Sequence, residues 1–226
     1  MQKFFDWILD WIWPRLCVVC GREGELCCPA CSQKLNIIYR QVCPVCREGG
    51  DGRVCPDCCS KSDLDGLLVA LENSETAAIL VHKYKYRDFY RLDDYLVERL
   101  VTVFTRSGLM FDLISFVPLA RQRLWWRGYN QAERLASGIS RVVRLGLANC
   151  LRRQKFTRSQ VGLNRRQRQE NVTGVFQAIN RPKWRGKNIL LVDDVCSSQA
   201  TLEECAKELK RHGANVVWGL VLLRGV

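Results

Sequence analysis

Ten of the thirteen cysteines lie within residues 17–59, and eight of them form four CxxC pairs: Cys17 with Cys20, Cys28 with Cys31, Cys43 with Cys46, and Cys55 with Cys58. No other feature restricts the fold so tightly. A CxxC step turns the chain sharply enough for both thiolates to meet one ion while backbone amides donate to the sulfurs, and two such knuckles close a tetrahedral zinc site. The step from the first half to the second is 26 residues for Cys17 and Cys20 and 27 for Cys28 and Cys31, so CVVCG with CPAC is echoed by CPVCR with CPDC. This is an internal duplication of a zinc-ribbon-like unit. Two structural zinc ions are expected, because eight thiolates in paired knuckles match two tetrahedral sites and nothing in the pattern suggests the redox tuning of an iron–sulfur centre. Sequential quartets are favoured over interleaved ones, since only seven or eight residues separate the knuckles within each half. Cys27 and Cys59, each beside a ligand, are the spares. A stretch of this length with few core hydrophobes needs such a staple to fold.

The remaining chain sets the context. At 226 residues there is room for one full-sized α/β core and a small appendage, here placed at residues 65–226 and 1–64. The net charge of +12 favours polyanionic partners. No run approaches the roughly 18 apolar residues of a spanning helix. The opening MQKFFDWILDWIWP carries Asp6 and Asp10 and lacks a small-residue cleavage site, so a cytoplasmic protein is expected. Phe4, Trp7, Ile8, Trp11 and Ile12 recur at helical spacing before Pro14. That apolar face suits docking on the protein's own body better than a peripheral contact at the inner membrane.

From about Asp65 the composition changes to α/β punctuation. GLLVAL, DLISFVP, KNILLVDD and NVVWGLVLL read as strands, while the segment up to Tyr86, LDDYLVERLVTVF and NQAERLASGISRVV read as helices. Leu202, Cys205, Ala206 and Leu209 line one face of a further helix at i, i+3, i+4, i+7. Buried β-rich runs alternating with helices predict a doubly wound parallel sheet with helices on both faces. Ligands of such sheets bind beyond the carboxyl ends of the strands. Asp193 and Asp194 stand at such an end, and the turn that follows offers amides, a helix N-terminus and the hydroxyls of Ser197, Ser198 and Thr201 to a phosphate. The carboxylates can accept from sugar hydroxyls. A ligand with ribose and phosphate on one ring follows.

LLVDDVCSSQAT resembles the phosphoribosyl pyrophosphate (PRPP) motif of type I phosphoribosyltransferases. With the CxxC knuckles in front, VPLARQRLWWRGYNQAERLA in the middle and RRQKFTRSQVGLNRRQRQENVTGVF after it, nearly the whole chain is similar to the ComF family. The matching positions are Arg123, Arg127, Gly128, Asn130 and Gln131, then Thr157, Gln160, Arg168, Asn171, Gly174 and Phe176. The resemblance implies handling of incoming single-stranded DNA in natural transformation, with contact to the inner-membrane uptake machinery, and binding of PRPP with magnesium. Asp193 and Asp194 would hold the ribose hydroxyls, Ser197, Ser198, Gln199, Ala200 and Thr201 the 5′-phosphate, and residues 118–123 the pyrophosphate side. An active phosphoribosyltransferase or a non-catalytic PRPP sensor are the alternatives, and no general base for an acceptor is identifiable. The sequence departs from the family at Gln199, where the loop has glycine; glutamine there either takes a positive φ at about 1 kcal/mol or reshapes the loop.

Residues 152–187 carry a net +10, most of the chain's charge in about a sixth of its length. Arg158, Arg165, Arg166 and Arg168, joined by Arg123 and Arg127 near Trp125 and Trp126, combine phosphate-neutralising charge with stacking surface. A mobile cationic lid over the pyrophosphate is a compatible use, and a solvated basic face with buried tryptophans the plainer one. His82 and His212 fall on helices, and Cys150, Cys196 and Cys205 read as buried thiols.

Overall fold

The computed structural model describes residues 16–85, 92–154, 167 and 171–225. The N-terminal tryptophan-rich segment and Thr157, Arg158, Gln160, Arg165, Arg166 and Arg168 lie outside the described residues.

In chain order the strands are β1 (Gly66–Leu71), β2 (Leu113–Phe116), β3 (Gly146–Leu147), β4 (Leu151–Arg153), β5 (Phe176–Ala178), β6 (Asn188–Cys196) and β7 (Val216–Arg224). The helices are α1 (Glu75–Tyr84), α2 (Asp93–Ser107), α3 (Arg121–Arg127), α4 (Gln131–Val143) and α5 (Ala200–Arg211). Five strands form one parallel sheet in the order β1-β7-β6-β2-β3, and β4 pairs antiparallel with β5 beside it.

Alternation along each buried strand supplies two cores, because successive side chains leave opposite faces. Leu190 and Val192 of β6 join Leu220 and Leu222 of β7 on the face covered by α1, α2 and α4. Ile189 and Leu191 face the other way with Val217 and Val221, under Leu202, Cys205, Ala206 and Leu209 of α5. The predicted helical stripe is therefore the buried one. Cys150, Cys196 and Cys205 are buried thiols, as the sequence indicated.

The cysteine-rich segment is less separate from this body than its composition implies. Cys17, Val18, Cys27, Cys28, Cys31 and Leu35 belong to the same core as α2 and α4. Ser32 Oγ and Tyr95 Oη of α2 share a 2.8 Å hydrogen bond, and Arg106 stacks its guanidinium over Tyr39. The segment also covers the outer edge of β1, which would otherwise present unpaired backbone groups. Ile38 and Glu72 amides donate to Ala70 and Asn36 carbonyls, and Leu67 donates to Gly52. Buried Gln41 completes the edge: its Nε2 donates to Val69 O at 3.0 Å and its Oε1 accepts from Val69 N at 2.9 Å. Only glycine suits position 52, where φ is +91° and a Cβ would stand 2.7 Å from Leu67 O.

Candidate functional site

The sheet order defines where a ligand can sit. From β6 the chain crosses through α5 outward to β7 on one face, and from β2 it crosses through α4 outward to β3 on the other. The order reverses between β6 and β2, and the crevice beyond their carboxyl ends is the binding position of a doubly wound sheet. Asp193 and Asp194 lie at that end of β6, facing residues 117–120 after β2, where Val117 N still pairs with Val192 O at 3.0 Å.

The turn after Asp194 closes as a small hollow lined by Asp193, Val195, Cys196, Ser197, Ser198, Gln199, Thr201 and Leu202. Gln199 is the N-cap residue of α5 with φ +62° and ψ −17°, so of the two options open from the sequence it adopts the left-handed conformation of the glycine it replaces. The Gln199 side chain makes no capping hydrogen bond to the first turn of α5. Its amides and the positive end of the helix dipole remain available to an anion. The Gln199 side chain is held by its neighbours: its Nε2 donates to Glu203 Oε1 at 2.7 Å, and its Oε1 accepts from Arg224 Nη2 at 3.2 Å.

The two carboxylates have different surroundings. Asp193 Oδ1 accepts from the Asp194 amide at 2.8 Å. Burial first, and the Asp194 charge second, push the Asp193 carboxyl up to about 8, opposed by the cations Lys85 and Arg153. Lys85 Nζ is 3.6 Å from Asp194 Oδ2. Arg153, on β4, lies over the Phe176 ring, and burial together with the Arg123 charge holds its guanidinium below the usual range. Lys85 and Arg153 thus stand near the acidic pair, with Arg123 close to Arg153. Sequence reading assigned Arg123 to the site and counted Arg153 only within the basic run 152–187, while Lys85 was not singled out, its signal being the basic HKYKYR that ends a helix.

The RGYNQ block has a bracing task in this arrangement. Tyr129 Oη donates to Tyr84 O at 2.5 Å and Gln131 Nε2 to Lys85 O at 3.3 Å, gripping the backbone on both sides of the Lys85 Cα. Asn130 Nδ2 donates to Val117 O at 3.0 Å. Arg127, read from sequence as a nucleic-acid contact, has Nη1 3.2 Å from Gln131 Oε1. The two tryptophans of α3 are solvent-facing, Trp125 at 83% and Trp126 at 61% exposure, so the reading of buried tryptophans does not hold for this pair. They lie on the helix that follows the 117–120 turn.

The eight predicted cysteines gather into sequential quartets, Cys17, Cys20, Cys28 and Cys31, then Cys43, Cys46, Cys55 and Cys58, with sulfurs within 4.8 Å of one another. The quartets share internal geometry. Cys28 N points at Cys17 Sγ over 3.5 Å and Cys55 N at Cys43 Sγ over 3.4 Å; Gly21 at φ +74° is matched by Arg47 at φ +65°. Burial raises both first cysteines, but the amides of Cys28, Cys20 and Val19 bring Cys17 to about 6 and those of Cys55, Cys46 and Val45 bring Cys43 to about 6. Four convergent sulfurs, one stabilised as thiolate by backbone donors, are a donor set that can take a tetrahedral metal. Cys27 and Cys59 stand outside the quartets, Cys59 Sγ bonding Pro56 O at 2.9 Å.

Comparison with known proteins agrees with this architecture. The phosphoribosyl transferase domain family matches residues 130–225. Competence protein F of Haemophilus influenzae is 29% identical over 202 residues, covering 85% of this chain and 83% of its own. DNA utilization protein YhgH of Escherichia coli K12 is 26% identical over 213 residues (84% and 93%), and competence protein ComFC of Bacillus subtilis 25% identical over 207 residues (85% and 81%). With paired cysteine quartets ahead of a parallel sheet whose central strand ends in the acidic pair and phosphate-type turn, the chain is similar to the ComF competence proteins over most of its length and carries a parallel α/β sheet of the phosphoribosyltransferase kind.

Proposed function

We propose that the protein handles single-stranded DNA during its uptake or use and binds magnesium-PRPP at the crevice between β6 and β2. The observation that carries the ligand assignment is the left-handed Gln199 closing the uncapped N-terminus of α5 directly after Asp193 and Asp194. Asp193 and Asp194 accept from the ribose hydroxyls, the turn at residues 197–201 takes the 5′-phosphate, and Lys85, Arg123 and Arg153 offer charge to the pyrophosphate. Magnesium would come with the ligand and supply counter-charge to its pyrophosphate. Zinc in the two cysteine quartets holds residues 16–64 as a structural module, to which the domain from residue 65 is attached.

The DNA assignment rests on the names and likeness of the relatives and on one surface. Trp125 and Trp126 expose their rings on the helix that also carries Arg121 and Arg123. Aromatic faces flanked by guanidinium groups suit unstacked bases and their phosphates, at about 1–3 kcal/mol per stacked base.

Calorimetric titration of magnesium-PRPP into the wild-type and Asp194→Asn proteins tests the ligand, with binding expected in the first and strongly weakened in the second. Equal binding by both removes the acidic pair from the site. A fluorescent single-stranded oligonucleotide should bind with steep salt dependence and lose affinity on Trp125→Ala with Trp126→Ala; an unchanged isotherm removes α3 from the interface.

A further inference from the structure

The two cysteine quartets are near copies in themselves but not in what they touch. The first packs into the main core under α2. The second forms a small core of its own, Cys43, Val54 and Cys58, and reaches the phosphate-type turn. Arg224, the last residue of β7, donates from Nη2 both to Pro44 O, inside the Cys43–Cys46 knuckle, and to Gln199 Oε1 at 3.2 Å. Gln199 Nε2 then donates to Glu203 Oε1 at 2.7 Å. The Glu203 carboxylate also accepts from Ser62 Oγ at 2.7 Å, Asp63 N at 2.7 Å and Leu64 N at 3.2 Å, in the strand of chain that leaves the second quartet. Val45 of the same knuckle lines a cavity of about 190 Å³ together with Ser198, Gln199, Ala200 and Glu203. Gly225 N donates to Cys196 O at 2.9 Å, so the end of β7 lies against the turn.

A glycine at position 199 would satisfy the backbone without connecting anything. Glutamine accepts the strain of a left-handed backbone and links three separate parts of the chain. We infer that Gln199 and Arg224 are positioning residues that tie the second cysteine quartet to the phosphate-binding turn, so that metal in that quartet and a phosphate ligand in the turn strengthen each other's binding. The tie rests on the reading that the turn holds a sugar phosphate. Coupling of this kind is reciprocal, since both ligands stabilise one shared arrangement of Pro44, Arg224 and Gln199.

The test uses the full chain, ribose 5-phosphate as ligand and cobalt(II) in place of the native metal. In wild type, saturating ribose 5-phosphate should shift the visible bands of the cobalt–thiolate centres, and Arg224→Met should abolish the shift while still binding two metal ions. The same variant and Gln199→Leu should each weaken ribose 5-phosphate by about five- to tenfold, the lower range of measured couplings. Cys46→Ser should weaken the sugar phosphate comparably, whereas Cys20→Ser, in the quartet that does not touch the turn, should leave it within twofold. An unshifted cobalt spectrum in wild type that nonetheless binds the sugar phosphate, or equal effects of Cys46→Ser and Cys20→Ser, overturns the tie. If wild type binds no sugar phosphate, the ligand assignment fails, and the tie is judged on metal release to a chelator. One metal should then leave Arg224→Met faster than wild type and the other at the same rate; identical release from both proteins overturns it.

Discussion

Ligand affinity at the acidic pair should depend on pH with a measurable proton release. Burial and the Asp194 charge push the Asp193 carboxyl up to about 8, so in the free protein at pH 7 it holds a proton. Ribose hydroxyls donate best to an ionised carboxylate, and binding at pH 7 must therefore expel that proton. For a group near 8 the apparent affinity falls by a factor of one plus ten to the power of 8 minus pH, which is about 11 at pH 7 and about 1.1 at pH 9, or roughly 1.4 kcal/mol across that window. The window from pH 7 to 9 is the useful one, because the ligand's own phosphate titrates near pH 6. Calorimetry of ribose 5-phosphate in two buffers of different ionisation enthalpy reads both quantities, and about 0.9 proton should leave at pH 7 against about 0.1 at pH 9. Asp193→Asn should flatten both curves. The sign for folding follows from the same shift: the folded state holds a proton that the unfolded chain, with its ordinary carboxyl, has lost, so this group's contribution to stability declines as pH rises from about 4 to about 8. Constant affinity between pH 7 and 9 with no buffer-dependent heat would refute the reasoning.

Removing the cation beside the pair should move that curve. Lys85→Met takes away the charge 3.6 Å from Asp194, so the midpoint of the Asp193 titration should rise and PRPP should weaken more than ribose 5-phosphate, which lacks the pyrophosphate; equal weakening of both ligands would mean that Lys85 serves only the carboxylates. Gly66→Ala puts a Cβ 2.6 Å from the buried Trp218 ring. It should destabilise by about 1–3 kcal/mol in urea unfolding, and an unchanged midpoint would show that the indole can move. Metal analysis should find two ions per chain, and a chelator should lower the thermal midpoint, since the quartets close the edge of β1 as well as their own knuckles.

Much of this was legible from the chain because it is local. The CxxC steps give sequential quartets, the alternating runs give buried parallel strands, and the acidic pair before a small-residue turn marks the end of β6. What the sequence concealed depends on pairs far apart in it. Pro44 and Arg224 are 180 residues apart, and Ser62 and Glu203 are 141 apart, so no periodicity relates them. Gln41 reads as an ordinary polar residue of a linker, yet it supplies the missing donor and acceptor of β1. Lys85 reads as one cation among several at a helix end, and only the grip of Tyr129 and Gln131 aims it at Asp194. Helix α3 was missed because its arginines and tryptophans present no apolar stripe, and none of its residues is buried.

Duplication explains why these long-range contacts are unequal. Two copies of one knuckle unit start with the same hydrogen bonds, Cys17 N to Arg22 O and Cys43 N to Glu48 O, and the same left-handed residue after the second cysteine. Position then separates them. The first copy lies over α2 and gives its apolar side chains to the common core, where a closed site can only be structural. The second lies beside the turn that follows β6, and its Val45 lines a cavity together with Ser198, Gln199 and Ala200. A loop glycine would have left that wall unattached. With glutamine at position 199, the turn is held by Glu203 from its own helix and by Arg224 from the neighbouring strand, and through them by both ends of the second quartet. The residue that stands where the resembling phosphate loops have glycine is thus the one through which the cysteine-rich segment meets the turn after β6.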